Sequence, residues 1–374
     1  MPDQLKRAPL IWKLVAFVGF PLAAICACGT VIYLLLASVP TPLLTNKQIQ
    51  SKPVIPVDDT ATPINKNNSA PSNAKPRIAF VKTNDRVGGE YDIYLMRPDG
   101  SDIRQLTSLP GLETSPAWSP NGQSIAFVAT QDSVRPNDCV TGYVELRCNF
   151  EIYTISVDGS NLKRLTTLPS TYDRGPTWSP DGKYIAFSSR EAGASYGYIY
   201  VIGVDGTGLT ALTKDEVRDS APSWSPNGKQ IAFMRETCCG SGSTVADIYV
   251  MNADGTHVTR LTQGERPDGN PAWSPDGQYI AWMTEEGDSQ NPIGKMAIMN
   301  ADGTNQTTIP LDISVSIGYQ PAWSPDSQQL MFVYREGTHL NLYRVNRDGT
   351  NLTKVTDDSA FFSAPAWSPN LSEP

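Results

Sequence analysis

The tripeptide Trp-Ser-Pro occurs six times in this chain of 374 residues, beginning at Trp118, Trp178, Trp224, Trp273, Trp323 and Trp367, at intervals of 60, 46, 49, 50 and 44 residues. A motif recurring at such a period marks a chain built from one supersecondary unit that buries its apolar face against copies of itself. Each unit reads the same way. A short strand ends in Trp-Ser and a Pro-Asp-Gly or Pro-Asn-Gly turn follows, then an apolar strand such as Ile125-Ala126-Phe127. After a loop comes a strand like Ile152-Tyr153 or Ile248-Tyr249-Val250, an Asp-Gly turn, and a last strand ending in Leu-Thr, as at Leu165-Thr166. Asp-Gly and Asn-Gly suit tight hairpins because both residues accept positive φ at little cost. Each unit is therefore two hairpins in series, with four strands.

The count fixes the architecture. The Ile-Ala-Phe-like strand begins at Ile78, Ile125, Ile185, Ile231, Ile280 and Leu330, and Asp-Gly occurs at Asp99, Asp158, Asp205, Asp254, Asp302 and Asp348. The first unit lacks its Trp strand and the last Trp-Ser-Pro lacks everything after it. The expected fold is all-β: a six-bladed β-propeller of four-stranded antiparallel blades, with the C-terminal strand around Trp367 closing the N-terminal blade. The 30 prolines and 29 glycines agree with a chain rich in turns.

These residues resemble the TolB-type propeller repeat, with its Pro-x-Trp-Ser-Pro-Asp-Gly, Ile-Ala-Phe, Ile-Tyr-Val-Met, Asp-Gly and Leu-Thr segments. Blade five departs most, with Met296-Ala297-Ile298-Met299 in place of the Ile-Tyr strand and Ile309-Pro310 in place of Leu-Thr. The resemblance covers the propeller and not the α/β domain that precedes it in TolB. It implies a non-catalytic module that binds protein or peptide partners of the cell envelope. A carbohydrate-binding or carbohydrate-active propeller and a sensor domain for a separate enzyme are the alternative readings.

The N-terminus follows different physics. Lys6, Arg7 and Lys13 precede an uncharged apolar run over residues 14–38. At ~1.5 Å per residue such a run exceeds a ~30 Å hydrocarbon core, and the basic residues ahead of it keep the N-terminus in the cytoplasm. A cleaved signal peptide would have a shorter apolar core, and Leu35-Leu36-Ala37 is a poor cleavage site. The expected organisation is a cytoplasmic 1–13, a transmembrane helix 14–38, a Pro/Thr/Asn/Ser-rich disordered linker 39–75, and the propeller 76–374. The propeller then lies in the periplasm or outside the cell, as a monomer tethered through a single pass. A net charge of −8, with no basic cluster beyond the N-terminus, argues against nucleic acid.

Candidate chemistry is sparse. With only His257 and His339 in the chain, a histidine metal cluster is excluded by number; both histidines are expected in solvated loops, and no metal or cofactor is expected. Gly193-Ala194-Ser195-Tyr196-Gly197 matches a nucleophile elbow in letters but lies between two strands, without the helix that motif needs. Five residues before each Trp stand Glu113, Asp173, Asp219 and Asp268, then Gly318 and Phe362. Two readings are open for the carboxylates: each caps its own loop, or together they form a negative arc at one mouth of the channel. In the second reading the arc faces a cation or a basic partner segment, with Tyr319, Phe361 and Phe362 as an apolar side opposite. Outside the cytoplasm Cys139 and Cys148 are expected to form a disulfide across the long loop at residues 130–149. For Cys238-Cys239 a vicinal disulfide, an intermolecular bond and free thiols are all open.

Overall fold

The computed structural model of the chain describes residues 76–83, 91–130, 149–167, 171–191, 194–238, 244–264, 266–288, 291–357 and 360–369. The apolar run 14–38, the linker 39–75, and Cys139 and Cys148 lie outside these residues. Among the described residues no helix is long and apolar enough to cross a membrane.

The described strands form six four-stranded sheets. Blade 1 contains β1 (Ile78–Thr83), β2 (Asp92–Met96) and β3 (Arg104–Gln105). Blade 2 is β4 (Glu113–Trp118), β5 (Ser124–Ala129), β6 (Glu151–Ser156) and β7 (Lys163–Arg164); blade 3 is β8 (Arg174–Trp178), β9 (Tyr184–Ser189), β10 (Tyr198–Gly203) and β11 (Thr210–Ala211). Blade 4 is β12 (Arg218–Trp224), β13 (Gln230–Cys238), β14 (Thr244–Asn252) and β15 (Thr259–Arg260), and blade 5 is β16 (Gly269–Trp273), β17 (Tyr279–Asp288), β18 (Asn291–Asn300) and β19 (Thr307–Thr308). Blade 6 is β20 (Ala322–Trp323), β21 (Gln329–Glu336), β22 (His339–Asn346) and β23 (Thr353–Lys354). The last strand, β24 (Phe361–Trp367), returns to blade 1 and pairs antiparallel with β1, setting Trp367 opposite Ile78 and Ala366 opposite Ala79. The ring closes as the repeat count requires.

Each motif has a local cause. In Trp-Ser-Pro-Asn-Gly, Ser119 Oγ donates to Asn121 Oδ1 at 2.7 Å and accepts from the Ser124 amide at 2.9 Å, which locks the turn into β5. Ser179, Ser274 and Ser324 make the same bond to an aspartate two residues on, at 2.6 Å. The phenylalanine of Ile-Ala-Phe lies opposite the tyrosine of Ile-Tyr, so Phe80–Tyr94, Phe127–Tyr153, Phe187–Tyr200, Phe233–Tyr249 and Phe332–Tyr343 pair with centroids 5.8–6.2 Å apart. Burying each phenylalanine contributes ~1.5–3 kcal/mol. Blade 5 departs for a steric reason: Trp282 replaces the phenylalanine, and the residue opposite it is Ala297.

The Leu-Thr threonine closes the blade's outer edge. The hydroxyls of Thr107, Thr166, Thr213, Thr262 and Thr356 accept the backbone N–H of Ile93, Ile152, Ile199, Ile248 and Leu342 at 2.8–3.0 Å. Three of the six Trp-Ser-Pro tryptophans join neighbouring blades: Trp178 Nε1 donates to Ala117 O at 3.1 Å, Trp323 Nε1 to Ala272 O at 3.0 Å, and Trp118 Nε1 to Ala366 O at 3.1 Å. The last of these ties blade 2 to the closing strand.

The innermost strands of blades 1 to 5 share a bulge at the residue before proline, where φ is positive: Ser115, Gly175, Ala221, Asn270 and Ala364. Blade 6 has no such bulge among its described pairings. Its inner strand β20 is two residues long, and side chains of blade 5 and blade 6 fill in: Asn270 Nδ2 donates to Ile317 O at 2.8 Å, and Gln320 Nε2 to Pro271 O.

Candidate functional site

Antiparallel pairing sends the connections β1–β2 and β3–β4, and their counterparts in every blade, to one end of the ring. The serine-locked and Asp-Gly turns go to the other. The first end, the loop face, carries every position singled out in the inner-strand approach.

The carboxylates Glu113, Asp173, Asp219 and Asp268 are brought to equivalent positions on this face, but they are 0, 0, 1 and 8% exposed. This differs from an open negative arc, whereas Leu109 and Thr107 beside Glu113, and Thr171 and Thr166 beside Asp173, belong to the segments leading into their own strands, as the loop-capping reading expects. Their backbones make the junctions between blades. The amide of Glu113 donates to Tyr91 O at 2.8 Å, that of Asp173 to Phe150 O at 3.1 Å, that of Asp219 to Gly197 O at 2.9 Å, and that of Asp268 to Ala246 O at 2.7 Å. In each case the acceptor belongs to the preceding blade. The amide of Val315 makes the corresponding bond to Gly294 O at 2.9 Å, so Gly318 has no such task.

Three of the four side chains are held by residues of their own blade. Asp173 Oδ1 accepts from Ser189 Oγ at 2.5 Å, Asp268 Oδ1 from Trp282 Nε1 at 3.0 Å, and Asp219 is held by Arg235 Nε and Nη2 at 2.7 and 2.9 Å. A second buried acid stands on three third strands: Asp92 and Glu151 at the start of theirs, and Asp247 as the fourth residue of β14. Arg164 and Arg260 each reach one of these, Glu151 and Asp247 respectively, at 2.7 Å. Burial pushes Asp173 up to about 7, and the charge of Glu151 adds to the effect. The field of these groups is spent inside the seams.

The apolar half of the expected site fares differently. Tyr319 and Phe361 come together with Thr83, Tyr91, Leu340 and Ser363 around a cavity of about 210 Å³ on the loop face, where blade 6 meets blade 1. Phe362 is 1% exposed and belongs to the core, its ring 5.9 Å from that of Phe80. The pocket lies beside the shortened β20 and the open Gly318. His339 is the first residue of β22, not a loop residue, and its ring stacks on Phe361 at 5.5 Å and 15°. Sequence reasoning missed it because the two residues meet only when β24 crosses to blade 1. His257 stays on the opposite face, exposed, in an Asp-Gly turn with φ 53°. Ser195 lies between β9 and β10, both strands. Among the described residues no group of three His, Cys, Asp or Glu is placed to hold a metal ion. Cys238 ends β13, and Cys239 lies outside the described residues.

A family model described as the TolB beta propeller domain matches residues 140–238 and 197–371. The chain belongs to this family. It is similar over 53 residues, at 42% identity, to the Tol-Pal system protein TolB of Nitratidesulfovibrio vulgaris, a match covering 14% of this chain and 12% of that protein. It is 30% identical over 135 residues to the uncharacterized peptidase YuxL of Bacillus subtilis, covering 30% of this chain and 20% of that one. Uncharacterized protein Atu1656 of Agrobacterium fabrum is 30% identical over 146 residues, covering 38% and 43%. The chain thus spans less than half the length of each of these relatives. Among solved structures, TolB from Acinetobacter baumannii superposes with a TM-score of 0.64 at 23% identity over 79% of this chain and 67% of that one, which shows a shared fold.

Proposed function

We propose that this TolB-type propeller is a non-catalytic binding module, tethered to the membrane by residues 14–38 and facing out of the cytoplasm. It engages a protein or peptide of the cell envelope by taking an apolar or aromatic side chain into the loop-face pocket between blades 6 and 1. The observation carrying this reading is the pocket itself. Its walls include Tyr91, Tyr319, Leu340 and Phe361, with Thr83 and Ser363 as the polar groups. At about 210 Å³ it lies below the ~300–1,000 Å³ of pockets that enclose small molecules, and suits one large side chain. Aromatic walls around a single anchor are how protein interfaces concentrate their energy.

The family and the Tol-Pal system relative support a protein partner over a glycan. Because the seam carboxylates are buried, the partner's apolar side chain, and not a basic segment, is the expected anchor. The word peptidase in one relative's name belongs to a protein of which this chain covers 20%.

The test is capture of partners from cross-linked envelopes with the full chain and with a Tyr319→Ala, Phe361→Ala variant, folding being checked by near-UV circular dichroism. Loss of a stoichiometric protein from the variant supports the reading. Unchanged capture by a folded variant, or glycan binding with no protein partner, contradicts it.

A further inference from the structure

The four seam carboxylates are not equivalent. Asp173 and Asp219 draw their partners, Ser189 and Arg235, from the second strand of their own blade, sixteen residues on. The same position in blade 2 is Ala129, paired with Glu113 in the ladder, and it has no polar group to offer. The outermost strand differs as well. Arg164 Nε donates to Thr166 O at 2.7 Å while its Nη2 reaches Glu151 at 2.7 Å, and Arg260 repeats this with Thr262 O at 2.8 Å and Asp247 at 2.7 Å. Blade 1 has Gln105 instead, whose Nε2 donates to Thr107 O at 2.8 Å and Asp92 Oδ2 at 3.0 Å. A neutral amide reproduces the arginine's bonds and omits its charge.

Glu113 is 0% exposed, and no group meets either of its carboxyl oxygens in full hydrogen-bond geometry. The groups facing it are Asp92 from β2, Thr107 beyond β3 and the backbone of Leu109. Lys82, opposite Asp92 on β1, places its ammonium over the rings of Tyr94 and Phe362 at 5.4 and 5.9 Å. An ionised carboxylate in such a place is strongly disfavoured, and taking up a proton relieves it.

We propose that the seam between blades 1 and 2 is held by a proton: Glu113 stands there as a neutral carboxylic acid, where other seams use a hydroxyl, an indole or an arginine, and ionising it loosens the pocket wall at Tyr91. The link to the pocket is direct, since the Glu113 amide donates to the Tyr91 carbonyl and Tyr91 lines the cavity. Burial, with the charge of Asp92 adding to it, pushes Glu113 up to about 9 from an ordinary 4.5. Between those pH values the folded chain holds a proton that the unfolded chain has released. Stability is therefore full below about 4.5, falls as pH rises through this window, and loses the whole contribution above about 9.

The coupling to binding rests on the pocket reading, whereas the proton itself does not, and the experiment separates them. Thermal and denaturant unfolding of the full chain and of Glu113→Gln would be compared from pH 5 to 9. The folding constant of the variant relative to wild type should rise by about tenfold per pH unit, as one-proton linkage requires. Infrared difference spectra at pH 7 should show a buried, protonated carboxyl in wild type that is missing from the variant. A pH-independent stability difference, or no such band, overturns the proposal. So does a wild-type stability that rises with added calcium and falls with chelator while the variant responds to neither, because a cation would then hold the seam. With the partner, capture should weaken on raising the pH through 9 in wild type and not in the variant; equal weakening in both overturns the link to Tyr91.

Discussion

The threonine of each Leu-Thr pair shows how a single hydroxyl holds a blade. Thr166 is 1% exposed, and its Oγ1 is the acceptor for the Ile152 amide, which the two-residue strand β7 does not reach. Thr166→Val keeps the shape and removes the acceptor, leaving a buried N–H without a partner, a loss of about 1–3 kcal/mol. Thr166→Ser keeps the acceptor and should cost less. Urea midpoints of the two variants check this; a valine variant as stable as wild type would show that the hydroxyl is dispensable. Other residues are equally specific to context. Gly255, at φ 81°, brings its turn so close to blade 3 that a β-carbon there would lie 2.5 Å from Leu212 O, which is why the Asp-Gly turn keeps its glycine in that blade. Such turn and strand residues were legible because their partners are a few positions away or repeat at a fixed interval. The seam acids were legible only as a recurring position. What their side chains touch depends on residues sixteen positions on, as for Asp219 and Arg235, and on the preceding blade, as for Glu113 and Asp92; no local pattern encodes either. The stacking of His339 on Phe361 is hidden for the same reason.

At the scale of elements, one strand carries the closure. β24 supplies the innermost strand of blade 1, packs Phe362 against Phe80, and offers Ala366 O to Trp118 of blade 2. Removing residues 361–374 would strip the cover from Ile78 and Phe80, both 0% exposed, and leave a long unpaired edge on β1. The shortened chain is expected to lose its cooperative thermal transition and become sensitive to protease throughout blade 1. A truncated chain that melted like the full one would mean that the ring does not depend on this strand. The closure was readable from counting, since the first unit lacks its Trp strand and the last Trp strand lacks its unit. The failure of blade 6 to form a full inner strand was not: Gly318-Tyr319-Gln320 departs from the repeat by a few letters, and only the folded ring shows that the departure opens a pocket.

For the whole molecule, the two ends of the ring are chemically different. The turn face consists of serine- and aspartate-locked hairpins, in which Asp99, Asp158, Asp205, Asp302 and Asp348 are held below the usual carboxylate range by the hydroxyl and amide of the residue two positions on. These turns are satisfied internally. The loop face gathers the seams, the varied connections and the aromatic pocket, and loops on a rigid scaffold are where binding is most readily built. Contact with a partner should therefore map to one end of the ring. A photoreactive amino acid placed at Tyr319 on the loop face, and separately at Val258 on the turn face, measures this in intact cells. Adducts with a discrete protein from position 319 and none from position 258 are predicted; adducts from position 258 alone would contradict a binding module that works through the pocket between blades 6 and 1.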